Sequence, residues 1–261
     1  MLKKITLLRE RVKDWSSYPF SVPAIHEMKE LKLRSRICFF AGENETGKST
    51  LLEAIASHYG FGPEGGTRSF RNTSTSSNAS IEPLVKALRL SFDRRTGAGF
   101  FLRAESFFNT VSYMDQLDEE PGGGPPLSTF YGGRSLHTRS HGETFLTLLE
   151  CKFRRNGLFL LDEPEAALSP QRQLAFLVLV HDVMEKYKDA QFIISSHSPV
   201  LLGYPEAQIF SFDGDRIHEV DYEQIGAFQV VRRFMNNRDG FLRELLKQEP
   251  TLFDQPQKKR K

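Results

Sequence analysis

Apolar residues along this chain fall into short unbroken runs that alternate with longer stretches of helical spacing. Residues 36–41 (RICFFA), 157–164 (GLFLLDEP) and 190–196 (AQFIISS) are nearly all apolar up to a polar end. That is the pattern of strands buried on both faces of a parallel sheet. Residues 4–9 read as another strand. Residues 84–92 (LVKALRLSF) and 97–105 (GAGFFLRAE) read as two more, joined by the polar turn DRRTGA. Helices are predicted over 48–58, 106–117, the stretch opened by SHGE at 140–143, 170–188 and 224–247. Strands 207–212 and 216–220 form a hairpin around Asp213-Gly214. Alternating strands and helices predict an α/β fold, a largely parallel sheet with helices on both sides.

Two segments break the pattern. Residues 60–80 are rich in Gly, Ser, Thr and Asn, and 118–128 (DEEPGGGPPLS) are a strong breaker. Composition adds little beyond this. The chain has 261 residues, 39% of them apolar and 26% charged, a globular balance. Its net charge of +2 comes from Lys258, Lys259, Arg260 and Lys261; the rest has 31 basic and 33 acidic residues. The fold is therefore not a basic nucleic-acid binder in bulk, and residues 255–261 read as a disordered basic tail. Cys38 and Cys151 lie in apolar runs outside any C-x-x-C, as buried free thiols do. No secretory leader and no apolar stretch of membrane-spanning length is visible, which fits a cytoplasmic location without direct membrane insertion.

Three strand ends carry chemistry. GENETGKST, residues 42–50, matches G-x-x-x-x-G-K-[ST] through Gly42, Gly47, Lys48 and Ser49, after an apolar strand and before a helix. Converging backbone N–H groups and a helix N-terminus cradle phosphates there, Lys48 reaches the β- and γ-phosphates, and the Ser49 hydroxyl ligates Mg²⁺. GLFLLDEPEAALSP ends its strand on Asp162-Glu163. Asp162 can hold Mg²⁺ through water and Glu163 can orient and deprotonate an attacking water. Adjacent carboxylates repel unless a cation is near, and a magnesium nucleotide supplies one. In QFIISSHSPVLL, His197 ends another apolar strand, where it can bond the γ-phosphate. TRSHGETFLTLL, residues 138–149, starts a helix with a capping box from Ser140 to Glu143, yet carries a glycine, Gly142, that no cap requires.

Together, Gly42–Thr50, Ser140–Glu143, Leu160–Glu163, Leu168-Ser169 and Ser196-His197 resemble the Walker A, signature, Walker B, D-loop and H-loop of ABC-type P-loop ATPases. The wording DEPEAALSP and SSHSP is similar to stand-alone AAA-family ATPases of the Rad50/SMC/RecF-like branch. The resemblance covers roughly residues 1–215. It implies a P-loop NTPase fold with a mostly parallel sheet, an N-terminal antiparallel β region and a small helical or insert lobe. Residues 1–254 would form one ATPase domain, with the insert at about 60–135. ATP and Mg²⁺ are the implied cofactors. Gly42, Glu43, Asn44, Glu45, Thr46, Gly47, Lys48, Ser49 and Thr50 would hold the nucleotide. Lys48, Glu163 and His197 would serve hydrolysis, and Ser49 and Asp162 would serve the metal. The resemblance also answers Gly142: Ser140 and the Gly142 N–H would meet the γ-phosphate held by a second copy, so that two chains sandwich two ATP molecules head to tail.

The sequence departs from the family in places. The signature reads Ser-His-Gly-Glu, and the glutamine that ligates Mg²⁺ between the lobes is not evident; Glu105, at the end of LRAESFFN, is the candidate in its place. Arg9, Arg11 and Trp15 lie where adenine contacts occur, although Trp15 reads equally as core. The function expected is ATP hydrolysis driving a dimerisation switch in DNA repair, genome maintenance or defence. The alternative is the ATPase subunit of a membrane ABC transporter, against which stand the signature wording and the missing glutamine. A binding-only clamp has no use for Glu163. Too few residues separate Thr50 from Ser140 for a long coiled coil, and no guanine-specific N-K-x-D is present. The insert, with Arg68, Arg71, Arg94, Arg95 and Arg103, is the expected docking place for nucleic acid or a partner protein, and those arginines read equally as solvated surface.

Overall fold

The computed structural model describes residues 1–62, 77–105, 107 and 141–246. The expected helix over 106–117, the breaker at 118–128, Ser140, Arg68, Arg71 and the basic tail lie outside the described residues, apart from Phe107.

The chain opens with β1 (Leu2–Leu7), a short helix α1 (Pro23–His26), β2 (Glu30–Lys32) and β3 (Ile37–Ala41). Next come α2 (Lys48–Tyr59), α3 (Ser77–Ala87), β4 (Leu88–Phe92) and β5 (Gly99–Arg103). The second half runs α4 (His141–Lys152), β6 (Leu158–Asp162), a 3₁₀ turn Pro164–Ala167, α5 (Pro170–Lys186), β7 (Gln191–Ser196) and α6 (Pro199–Leu202). It ends with β8 (Gln208–Ser211), β9 (His218–Val220), α7 (Gly226–Asn236) and α8 (Arg238–Leu246).

Six strands form the main sheet in the order β5-β6-β7-β3-β8-β9, parallel except for the β8–β9 hairpin. A second, antiparallel sheet has the order β2-β1-β4. The main sheet separates two apolar cores because its strands are apolar on both faces. Cys38 and Phe40 of β3, with Leu158 and Leu160 of β6, face the core shared with β1, α2 and α3. Ile37, Phe39 and Ala41, with Phe159 and Leu161, face the core built on α4 and α5. The period of two thus disappears from the hydropathy of these strands. Cys38 is a buried free thiol, pushed up to about 12 by burial; Cys151 is free and only half-buried.

Three expectations are corrected. Residues 84–87 end α3 rather than starting a strand. Ile81, Leu84 and Ala87 are buried at helical spacing, and a short apolar run alone does not separate helix from strand. The DRRTGA turn joins no hairpin: β4 pairs with β1 while β5 pairs with β6, so the turn passes the chain from one sheet to the other. β4 and β5, which lie within 60–135, thereby belong to different sheets. The terminal helix is two helices, broken at Asn237 (φ −151°, ψ 66°), whose Oδ1 accepts the Gly240 N–H at 3.1 Å. An asparagine that caps a new helix interrupts the old one.

Candidate nucleotide site

The phosphate loop leaves β3 at Ala41 and enters α2 at Lys48. Gly42 (φ +144°) and Gly47 (φ +97°) take backbone conformations that side chains avoid. A Cβ on Gly42 would stand 2.9 Å from Asp213 Oδ1, and one on Gly47 2.9 Å from Val22 Cγ1. Lys48 is buried and its Nζ donates to the carbonyl oxygens of Gly42 at 2.8 Å and Glu43 at 2.5 Å. Burial pulls its ammonium below the ordinary lysine range, against the pull of Glu163, Asp162, Asp213 and Glu165. Asp213 accepts the Glu43 N–H at 2.8 Å. Its place in the β8–β9 connection is legible in the sequence, but its contact with the phosphate loop is not.

The sheet order brings the other motifs to the same edge. β7 lies between β3 and β6, with Ala41 opposite Ser196 and Asp162 opposite Ser195. Asp162 is buried and, among the described residues, its Oδ1 has no hydrogen-bond partner. Burial raises its pKa, opposed by the Ser49 hydroxyl, Arg103 and the Ser195 hydroxyl. Glu163 follows in the left-handed region (φ +48°, ψ 53°), its N–H donated to Ser195 O at 3.0 Å. A non-glycine residue held there carries roughly 1–3 kcal/mol of strain, which concentrates at functional sites. Its carboxylate stays accessible and lines the cleft with Lys48 and Ser49.

His197 leaves β7 half-exposed, with Nδ1 3.4 Å from Glu165 Oε1 and 3.9 Å from Glu163 Oε1. Glu165 is buried, and its Oε1 accepts the Ser196 hydroxyl at 2.8 Å and the His197 N–H at 2.7 Å. Glu165 was not among the expected site residues, and only its place two residues after Glu163 hints at a role.

Arg103 is a third member whose place in the site the sequence does not show. It turns into the cleft beside Glu53 (3.4 Å), Asp162 (3.6 Å) and Glu105 (3.7 Å). It stands opposite Asp162 because β5 is the neighbour of β6. Glu53 is buried; burial raises its pKa, Arg103 lowers it, and among the described residues its Oε1 has no hydrogen-bond partner. Glu105 lines the cleft but is largely exposed. Arg95 instead lies over the Tyr59 ring, 4.6 Å from its centroid.

The cleft has a volume of about 420 Å³ and is lined by Asn44, Glu45, Gly47–Thr50, Arg103–Glu105, Asp162, Glu163, Tyr18 and Val22. Trp15 packs against the core with the Arg9 guanidinium 3.9 Å from its centroid, and Arg11 donates to Lys86 O. Tyr18 takes the aromatic place at the cleft, its hydroxyl 2.9 Å from Thr50 Oγ1. The buried, unpartnered Asp162 Oδ1 with the nearby Ser49 hydroxyl suits Mg²⁺, which needs one or two protein oxygens when phosphates supply others. Among the described residues no group of three His, Cys, Asp or Glu side chains is arranged to hold a metal by itself.

Gly142 stands in the first turn of α4 and is buried. A Cβ there would lie 2.6 Å from Arg172 Nη1, 2.8 Å from Arg172 Cδ and 3.2 Å from Ala167 O. Arg172 Nη2 pairs with Glu143 at 3.1 Å. Gly142 is thus covered by Arg172 of α5 and by the 3₁₀ turn, so the glycine expected to be open is closed.

The strand order, the phosphate loop and the Asp162-Glu163 pair define a P-loop NTPase fold. The family model described as "AAA domain, putative AbiEii toxin, Type IV TA system" matches residues 135–203, which contain Gly142, Asp162, Glu163 and His197. No curated protein matches the chain. Among solved structures, the chain is similar to cbiO1 from Clostridium perfringens, part of the ABC transporter complex cbiONQ (16% identity, 84% of this chain, 91% of that chain, TM-score 0.47). It is also similar to the SMC head domain from Thermotoga maritima (16% identity, 84% of this chain, 99% of that chain, TM-score 0.45).

Proposed function

We propose that the protein binds Mg²⁺·ATP in this cleft and hydrolyses it to ADP and phosphate, two copies closing head to tail around two nucleotides. The observation that carries the reading is the strained, accessible Glu163 beside the buried, unpartnered Asp162 Oδ1, at the strand end facing the phosphate loop. Lys48 releases the carbonyls of Gly42 and Glu43 for the β- and γ-phosphates, and the loop N–H groups take the remaining oxygens. Glu163 orients the attacking water and accepts its proton. His197 donates to the γ-phosphate. Ser49 and Asp162 are the residues that would hold Mg²⁺, which neutralises phosphate charge. Ser140 and Gly142 meet the partner copy's γ-phosphate once Arg172 moves aside.

As a switch, the protein fits genome maintenance or defence. The family description, which speaks of a toxin of a type IV system, supports defence. Phosphate release under saturating Mg²⁺·ATP, with and without duplex DNA, tests the reading. Wild-type protein should turn over, Glu163→Gln should bind ATP without turning it over, and DNA should change the rate. Equal rates in wild type and Glu163→Gln would remove Glu163 from the chemistry.

A further inference from the structure

We propose that Glu165 is a positioning residue that fixes His197 for the γ-phosphate through one buried carboxylate oxygen. The inference rests on the hydrolysis reading above and deepens it. Glu165 Oε1 gathers three groups of the His197 loop: the Ser196 hydroxyl at 2.8 Å, the His197 N–H at 2.7 Å and His197 Nδ1 at 3.4 Å. Backbone and preceding side chain are hydrogen-bonded to the same atom, and the imidazole lies beside it as a charge contact rather than a hydrogen bond. A ring with Nδ1 turned toward Glu165 keeps Nε2 for another partner.

A second bond ties the same loop to the same segment. The Ser198 hydroxyl donates to Gln173 Oε1 at 2.5 Å, and Gln173 Nε2 donates to Leu168 O at 3.2 Å. The Ser198 N–H closes the loop onto Ser196 Oγ at 3.0 Å. The His197 loop is therefore hydrogen-bonded to residues 165–173, which also carry Leu168-Ser169 and Arg172. A carboxylate this buried (side chain 6% exposed) is costly unless its bonds are needed. Among the described residues its Oε2 has no hydrogen-bond partner, so the hydrogen bonds of the carboxylate go to the His197 loop.

Glu165→Ala, Glu165→Gln, His197→Ala and the double variant of alanines at 165 and 197 are compared in the full chain. Glu165→Ala is expected to lower kcat by about 10- to 100-fold, as misplaced catalytic groups do, while KM for Mg²⁺·ATP stays within about twofold. Glu165→Gln is expected to recover kcat to within about threefold, because an amide oxygen accepts from the same hydroxyl and N–H; it also serves where the alanine variant does not fold. In the His197→Ala background, Glu165→Ala should cost nothing further. Ring ¹⁵N signals of His197, recorded without nucleotide, should move in Glu165→Ala. Wild-type kcat in Glu165→Ala, losses that multiply in the double variant, or unmoved ring signals overturn the proposal. A wild type without turnover overturns the hydrolysis reading instead, and the ring signals still decide whether Glu165 places His197.

Discussion

Arg172 lies across Gly142, its guanidinium within 2.6 Å of where a side chain at position 142 would begin, and it is pinned there by Glu143 at 3.1 Å. The glycine expected to receive a partner's phosphate is thus roofed by a residue of the same chain. The nearest part of the roof is the Arg172 side chain, 31% exposed, with the backbone carbonyl oxygen of Ala167 behind it at 3.2 Å. Exposed ion pairs of this kind are worth roughly 0.2–1 kcal/mol, so the cover is easily displaced.

Removing it should ease assembly. In the Glu163→Gln background, Arg172→Ala should dimerise at an ATP concentration about two- to fivefold lower, the range that the weak ion pair allows. Light scattering over an ATP titration reads this directly. A higher requirement would mean that Arg172 itself helps to seat the partner's phosphate.

Gly142→Ala should fold, because its two nearest neighbours belong to the movable Arg172 side chain and the Ala167 carbonyl oxygen at 3.2 Å need give by only a few tenths of an ångström, yet it should block the approach of phosphate to the backbone. Thermal midpoint should stay within about 2 °C, helped by the better helix propensity of alanine. Turnover should fall by about 100-fold, the scale of a lost backbone donor. Scanning calorimetry and phosphate release check the two halves separately.

Glu53 gives a pH test. Burial raises its pKa above the ordinary 4.5, so the folded protein holds that proton more tightly than the unfolded chain. Stability from this group is present below the ordinary value and falls as pH rises through the interval up to the raised one. Glu53→Gln should flatten that fall and raise the nucleotide-free melting midpoint at neutral pH by about 2 °C. Unchanged pH curves would show that Arg103 already compensates the buried charge.

Lys48→Ala should bind no ATP and remain folded. Its ammonium is held down by burial and donates to two loop carbonyls, so its loss removes a desolvated charge as well as two bonds. Nucleotide titration with a fluorescent ATP analogue and a thermal melt should separate lost binding from lost fold.

Much of this was legible in the sequence, for physical reasons. β3, β6 and β7 announce themselves because both of their faces are buried, and Gly42, Gly47, Lys48 and Ser49 sit at a spacing that phosphate chemistry imposes. Asp162, Glu163 and His197 end those same strands. What stayed hidden depends on neighbours. Arg103 enters the site only because β5 lies beside β6, and Asp213 only because β8 lies beside β3. Glu165 acquires its role from the 3₁₀ turn that folds it under β7. Residues 84–87 misled because a short apolar run suits helix and strand alike, and Asn237 because a capping side chain leaves no trace in hydropathy.

The central claim is that ATP is sealed between two copies of this chain. The most direct measurement is the light-scattering mass of Glu163→Gln with and without saturating Mg²⁺·ATP. The account predicts one chain without nucleotide and two with it, reverting to one when EDTA removes the metal. A single-chain mass at saturating Mg²⁺·ATP, with binding confirmed by titration, would contradict it.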